Sequence, residues 1–133
     1  MKEDEKIIRI VSALDLYVIE KIRNKREDSG MSQDALSVEM GFSDKLVGNI
    51  ENPSLPAKYN IRQINLAAEA LKCNVKDFLP PKGFLKDDLV RITVEKIWEK
   101  DNDGINKKIP VITKSEPLTE DEILEYNRKR QKT

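Results

Sequence analysis

Histidine is absent from this chain of 133 residues, and cysteine occurs once, at Cys73. Those shortages remove Cys/His zinc sites, Cys-His dyads, Ser-His-Asp triads and any intrachain disulfide. The five glycines form no phosphate-cradling loop. The chain is therefore not expected to be an enzyme, nor to hold a metal or an organic cofactor. Aromatic residues are also few, with three Phe, three Tyr and one Trp, which suits a small helical core under a heavily solvated surface. No sign of charge dominates: 24 Lys plus Arg meet 24 Asp plus Glu, so no global field steers the chain to nucleic acid or to an anionic membrane. Any such binding has to come from local placement. Long apolar runs are missing too. The opening "MKEDEKIIRIV" carries acids where an export signal wants a basic start, and its apolar run is too short for a signal or a span. A cytoplasmic protein with one main core and an accessory element is expected.

Helix signals, by contrast, are plentiful. Ser12 and Asp15 have the spacing of a capping box, with Val11 and Leu16 placed as its hydrophobic staple. A first helix is expected from there to Gly30, with Leu14, Val18, Ile19 and Ile22 at helical spacing. Residues 1–11 read as a leader or a short strand, because periodicity does not decide so short an apolar run. Ser32 caps a second helix that turns Ala35, Leu36 and Met40 inward, and Ser43 caps a third, about residues 43–51, with Leu46, Val47 and Ile50. Pro53 stops it. A fourth helix lines up Ile64, Ala67, Ala68 and Leu71, and "NVKDFL" reads as a short fifth before Pro80 and Pro81.

Past that proline pair the period changes to two. Val90, Ile92, Val94 and Trp98 alternate with polar residues, "DNDG" is turn chemistry, and "INKKIPVIT" forms a second strand that Pro110 confines to an edge. Thr119 and Glu122, with Leu118 against Ile123, open a last helix whose end is basic: Arg128, Lys129, Arg130 and Lys132. The expected fold class is mainly α, with residues 1–11 as leader or strand, five helices over 12–80, and a β-hairpin plus helix over 81–133.

Counted from Gln33, apolar residues fill the fourth, eighth, tenth, fifteenth and eighteenth places (Leu36, Met40, Phe42, Val47, Ile50), and Gly41 holds the ninth. This is a helix-turn-helix pattern: the apolar set locks two helices at a steep angle and Gly41 turns the chain between them. With "IRNKREDSGMSQDALSVEMGFS", "VGNIEN" and "INLAAEALKCNVKDFL", residues 12–79 resemble the phage-repressor-like (Cro/cI, XRE) helix-turn-helix family. The resemblance implies a lambda-repressor-like DNA-binding domain. It implies that Gln33 meets phosphate and a base edge, and that Ser43, Asp44, Lys45, Gly48 and Asn49 form the reading face, with Asn52 just past it. It also implies backbone contacts from the loop into the fourth helix, Lys58, Tyr59 and Asn60, and a structural ion pair between Arg26 and Glu51.

Each residue has a plainer role beside that one. Ser43 suits a cap; Lys45 suits ordinary surface charge; Asn49, a poor helix former, is either solvated or bonds adenine through both amide groups. Gly48 costs its helix about 1 kcal/mol against Ala, a cost that either close approach to DNA or simple drift accounts for. Ser37 stands where the family has a small Ala, so its hydroxyl has to bond back to the preceding turn. Residues 31–52 hold four acids against one lysine, a net −3, unusual for a surface that meets phosphates. Lys21, Arg23 and Lys25 nearby offer compensation. The hairpin's apolar face needs a cover: the last helix, the N-terminal segment or a second copy of the chain. The resulting expectation is a sequence-specific DNA-binding transcriptional regulator of the repressor type, binding double-stranded DNA as a homodimer through residues 84–133. The alternative is a protein-interaction module, such as an antitoxin or anti-repressor partner, that keeps the same helices.

Overall fold

Ser12 stands where two kinds of structure meet. In the computed structural model, which describes residues 6–131, strand β1 (Ile7–Ser12) runs directly into helix α1 (Ala13–Asp28). The Ser12 hydroxyl accepts from the Asp15 N–H at 3.2 Å, capping α1 as expected. The Asp15 carboxylate does not complete a box; it reaches Lys58 at 3.3 Å. Val18, Ile22 and Arg26, four residues apart, form the buried stripe of α1. Leu14 falls outside it and is 43% exposed, because the ground beside the first turn is sheet, which takes up Ala13 and Leu16 instead.

Helices α2 (Gln33–Glu39), α3 (Leu46–Glu51) and α4 (Ile61–Ala70) follow, and Leu36, Met40, Val47, Ile50, Ala67 and Ala68 join Val18 and Ile22 in one core. Burying each large apolar side chain there stabilises by about 1.5–3 kcal/mol. The α4 entry has a full capping box: Asn60 accepts from Gln63 N–H at 2.7 Å and Gln63 accepts from Asn60 N–H at 2.9 Å. The expected fifth helix is a single 3-10 turn, Val75–Phe78, since the Asn74–Asp77 cap and Pro80 leave no length for an α-helix; its Phe78 is fully buried under α1 and α4.

The mainly α class is not what the chain adopts. Strands β2 (Leu89–Lys100) and β3 (Asn106–Pro117), each twelve residues long, form the expected hairpin, and β1 pairs with β2 on its other side. The result is a three-stranded antiparallel sheet in the order β1-β2-β3, and the architecture is mixed α and β. The physical reason lies in residues 7–12, an apolar run that buries one face only after β2 is beside it. Val90, Ile92 and Val94 are buried against Val11, Ala13 and Leu16, so β1 and α1 supply the cover that the hairpin requires. Pro110 sits on the edge strand, as its missing N–H demands. A register shift beside Thr93 and Val94 bends the hairpin. Helix α5 (Glu120–Gln131) returns through Leu118, whose N–H donates to Leu89 C=O at 2.9 Å, with a complete Thr119–Glu122 capping box. The first five residues of the leader and Lys132 of the basic tail lie outside the described residues. Among those described, no helix is long and apolar enough to cross a membrane.

Candidate functional site

The α2–α3 corner is built around one buried hydroxyl. Gly41 turns the chain at φ +90°, and Phe42 N–H donates back to Ser37 C=O at 3.0 Å. Regular helix resumes only at Leu46: residues 44 and 45 form a turn, so Ser43 is not the expected cap and α3 is shorter than the expected 43–51. Lys45 at the cap position makes no capping hydrogen bond with its side chain. Ser37 supplies the cap from across the corner. Its hydroxyl donates to Gln33 C=O at 2.8 Å and accepts from Val47 N–H at 2.9 Å, satisfying a first-turn amide of α3 inside the core. A small polar residue is required there, and alanine cannot do this.

Behind the corner, Arg26 and Glu51 form a bidentate pair, with Nε to Oε2 at 2.9 Å and Nη2 to Oε1 at 2.7 Å. A third donor of Arg26 reaches Met31 C=O at 2.8 Å, tying α1 to the start of the corner. The bond to Glu51 raises the Arg26 pKa against the opposing effect of burial, so the guanidinium stays charged. Glu51 also accepts from the Gln33 side-chain amide at 2.9 Å. That bond draws Gln33 across α3, and Gly48 makes the space: a Cβ there would stand 3.2 Å from Gln33 Oε1. The glycine that weakens the helix is thus the seat of the glutamine. Gln33 is held by its amide nitrogen.

Asp44, Lys45 and Asn49 are exposed on the outside of the corner, with Ser43 beside them. Asn52 is partly buried, and its side-chain oxygen accepts from Ser54 N–H at 2.9 Å, shaping the loop after α3. Lys58 is exposed and held by Asp15, and Asn60 is committed to its cap. Tyr59 is not a surface contact: it is 5% exposed, packed in the helical core, and its hydroxyl has no hydrogen-bond partner among the described residues. Burial, with the negative Glu51 adding to it, pushes its pKa far above the usual phenol range, so the ring stays neutral. Ile61, at the first turn of α4, is 87% exposed, an apolar side chain that the helical periodicity did not single out.

Arg9 is a participant with little in its local sequence to mark it. Its guanidinium donates to Pro53 C=O at 2.6 Å, joining β1 to the loop behind α3. The only signal was an arginine inside an apolar run. A cleft of about 960 Å³ opens beside this contact and is lined by Gln33 and Gly48 from the helix pair as well as by Arg9 and Lys107 from the sheet. Cys73 is half-buried, with its thiol pKa raised by burial, and is not poised as a nucleophile. The described residues contain no cluster of three or more Cys, Asp or Glu able to hold a metal ion.

No protein-family model and no curated protein matches the chain. Among solved structures it is similar to the hydroxypropylphosphonic acid epoxidase from S. wedmorenis, at 14% identity and a TM-score of 0.46, over 70% of this chain. The match spans 64% of that protein's length.

Proposed function

We propose that the chain is a non-enzymatic, sequence-specific DNA-binding transcriptional regulator that presents α3 and the turn before it to the major groove. The observation that carries this reading is the corner itself. Asn49 stands outward on a helix locked by Ser37, with Asp44 and Lys45 outward on the turn before it, while Gln33 is fixed beside Gly48 by the Arg26–Glu51 pair. Groups held in one place before binding lose little freedom when they meet a partner, which favours recognition. Asn49 is suited to read adenine, and Lys45 to meet a phosphate. The resemblance to the phage-repressor-like family supports the same assignment.

The regulator acts as a homodimer through residues 84–133, so that two corners reach two half-sites. Support for this comes from Trp98 and Ile105, 67% and 61% exposed at the far end of the hairpin. A fluorescence titration of a selected duplex tests the reading. Saturable binding is expected, with Asn49→Ala weakening it about 5- to 150-fold, from the ~1–3 kcal/mol of a bidentate base contact. Equal binding by wild type and Asn49→Ala would contradict it.

One observation favours a second reading. The net −3 of residues 31–52 suits a basic protein surface better than a phosphate backbone. On that reading the chain is an antitoxin-like or anti-repressor partner, and a stoichiometric protein complex that DNA does not displace distinguishes it.

A further inference from the structure

The acidic corner has cationic neighbours that belong to other elements. The cleft that Gln33 and Gly48 line is also lined by Arg9 of β1, Arg23 of α1, Lys58 of the loop before α4 and Lys107 of β3. Its acids are largely committed: Asp15 is paired with Lys58, and the Glu51 side chain, 3% exposed, is taken by Arg26 and Gln33. Glu20 is the remaining acid on the lining. Arg9 spends one bond on Pro53 C=O and keeps the rest of its five-donor fork. Lys107 is exposed and has no ion-pair partner among the described residues, although Glu99 lies opposite it on β2.

We infer that this cleft is a phosphate-backbone site, in which the sheet carries Arg9 and Lys107 to the strand of the duplex that leaves the groove beside α3. The inference rests on the DNA reading above and extends it. The sheet then has a part in binding, and the charge missing from residues 31–52 is supplied from β1 and β3, by Arg9 and Lys107. The occupant is the sugar-phosphate chain because the cleft adjoins the proposed reading face, and its uncommitted charge is positive on a mixed polar and apolar lining. Such contacts add affinity without base preference, since phosphate is the same at every step.

The test is a salt series with the full chain, measuring affinity for a selected operator and for a random duplex of equal length. Arg9→Gln keeps an amide donor for Pro53 C=O while removing the charge, and Lys107→Gln alters an exposed strand position. Each is expected to lower the slope of log affinity against log salt by about 0.9, and to weaken both duplexes equally, roughly 3- to 10-fold at 0.1 M salt. Lys82→Gln, exposed, outside the cleft and before residues 84–133, is the control and keeps the wild-type slope. Wild-type slopes in both cleft variants, with operator binding intact, would overturn the inference and leave the DNA reading standing. A wild-type chain that binds neither duplex overturns both. Circular dichroism on each variant separates loss of charge from loss of fold, and an Arg9→Gln chain that unfolds leaves Lys107→Gln to decide.

Discussion

Ser37 and Gly48 show how much of this molecule turns on two small side chains. Ser37 is fully buried and closes the amide that α3 leaves open at Val47. Replacing it with Ala strands that N–H in the core, and a loss of about 1–3 kcal/mol is expected in urea unfolding. No change in stability would mean that α3 is capped in some other way. Gly48 predicts the opposite pairing of effects. Gly48→Ala removes a helix cost of about 1 kcal/mol, so the unfolding midpoint should hold or rise. The new Cβ presses on Gln33 Oε1 while Glu51 pins the other end of the amide, so operator affinity should fall about 2- to 10-fold, the equivalent of one hydrogen bond. A variant both more stable and unchanged in binding would deny Gln33 a role at the DNA.

At the scale of elements, α5 is held to the sheet by charge as well as by Leu118. Arg91 of β2 bonds Glu122 at 2.6 Å, and the Glu122 carboxyl lies below its usual range, first because Thr119 N–H donates to it and then because of the guanidinium. A carboxylate lowered in the folded state stabilises above its unfolded pKa, and that contribution disappears as pH falls through the folded value. Hydrogen-exchange protection of α5 should therefore decline only below about pH 4.3, the ordinary glutamate value. Glu122→Gln should start with weaker protection at neutral pH and lack that decline. Protection that is flat to acid in the wild type would remove the pair from the account.

The elements also differ in how plainly the sequence announced them. Caps at Ser12, Ser32, Asn60 and Thr119 are local chemistry within three or four residues, and the helix starts at Ala13, Gln33 and α5 were readable from such signals. The hairpin was legible through its alternation and the "DNDG" turn. Strand β1 stays open in the sequence between leader and strand, because its partner lies more than seventy residues away and long-range pairing leaves no periodic trace in six residues. The same cause hid Arg9, whose contact with Pro53 exists only once β1 is in the sheet; Tyr59, expected at the surface, turns instead into the helical core. The third helix is shorter than its sequence suggests because Ser43 has the look of a cap, while the true cap, Ser37, belongs to another helix.

For the whole molecule, a net charge of zero conceals an uneven distribution. The proposed reading corner is acidic, and cations from β1, α1, β3 and the 52–58 loop stand around the cleft at its side. One small module of this size gives limited specificity alone, and a two-fold pair of corners squares the discrimination available. On the proposed function, the corner reads DNA sequence. Selection of bound duplexes from random DNA tests it most directly, with the mass of each complex measured in parallel. The expected result is a two-fold symmetric consensus, two chains per duplex, and lost preference at one position of each half-site in Asn49→Ala. A pool that stays random after repeated selection at low salt would contradict it.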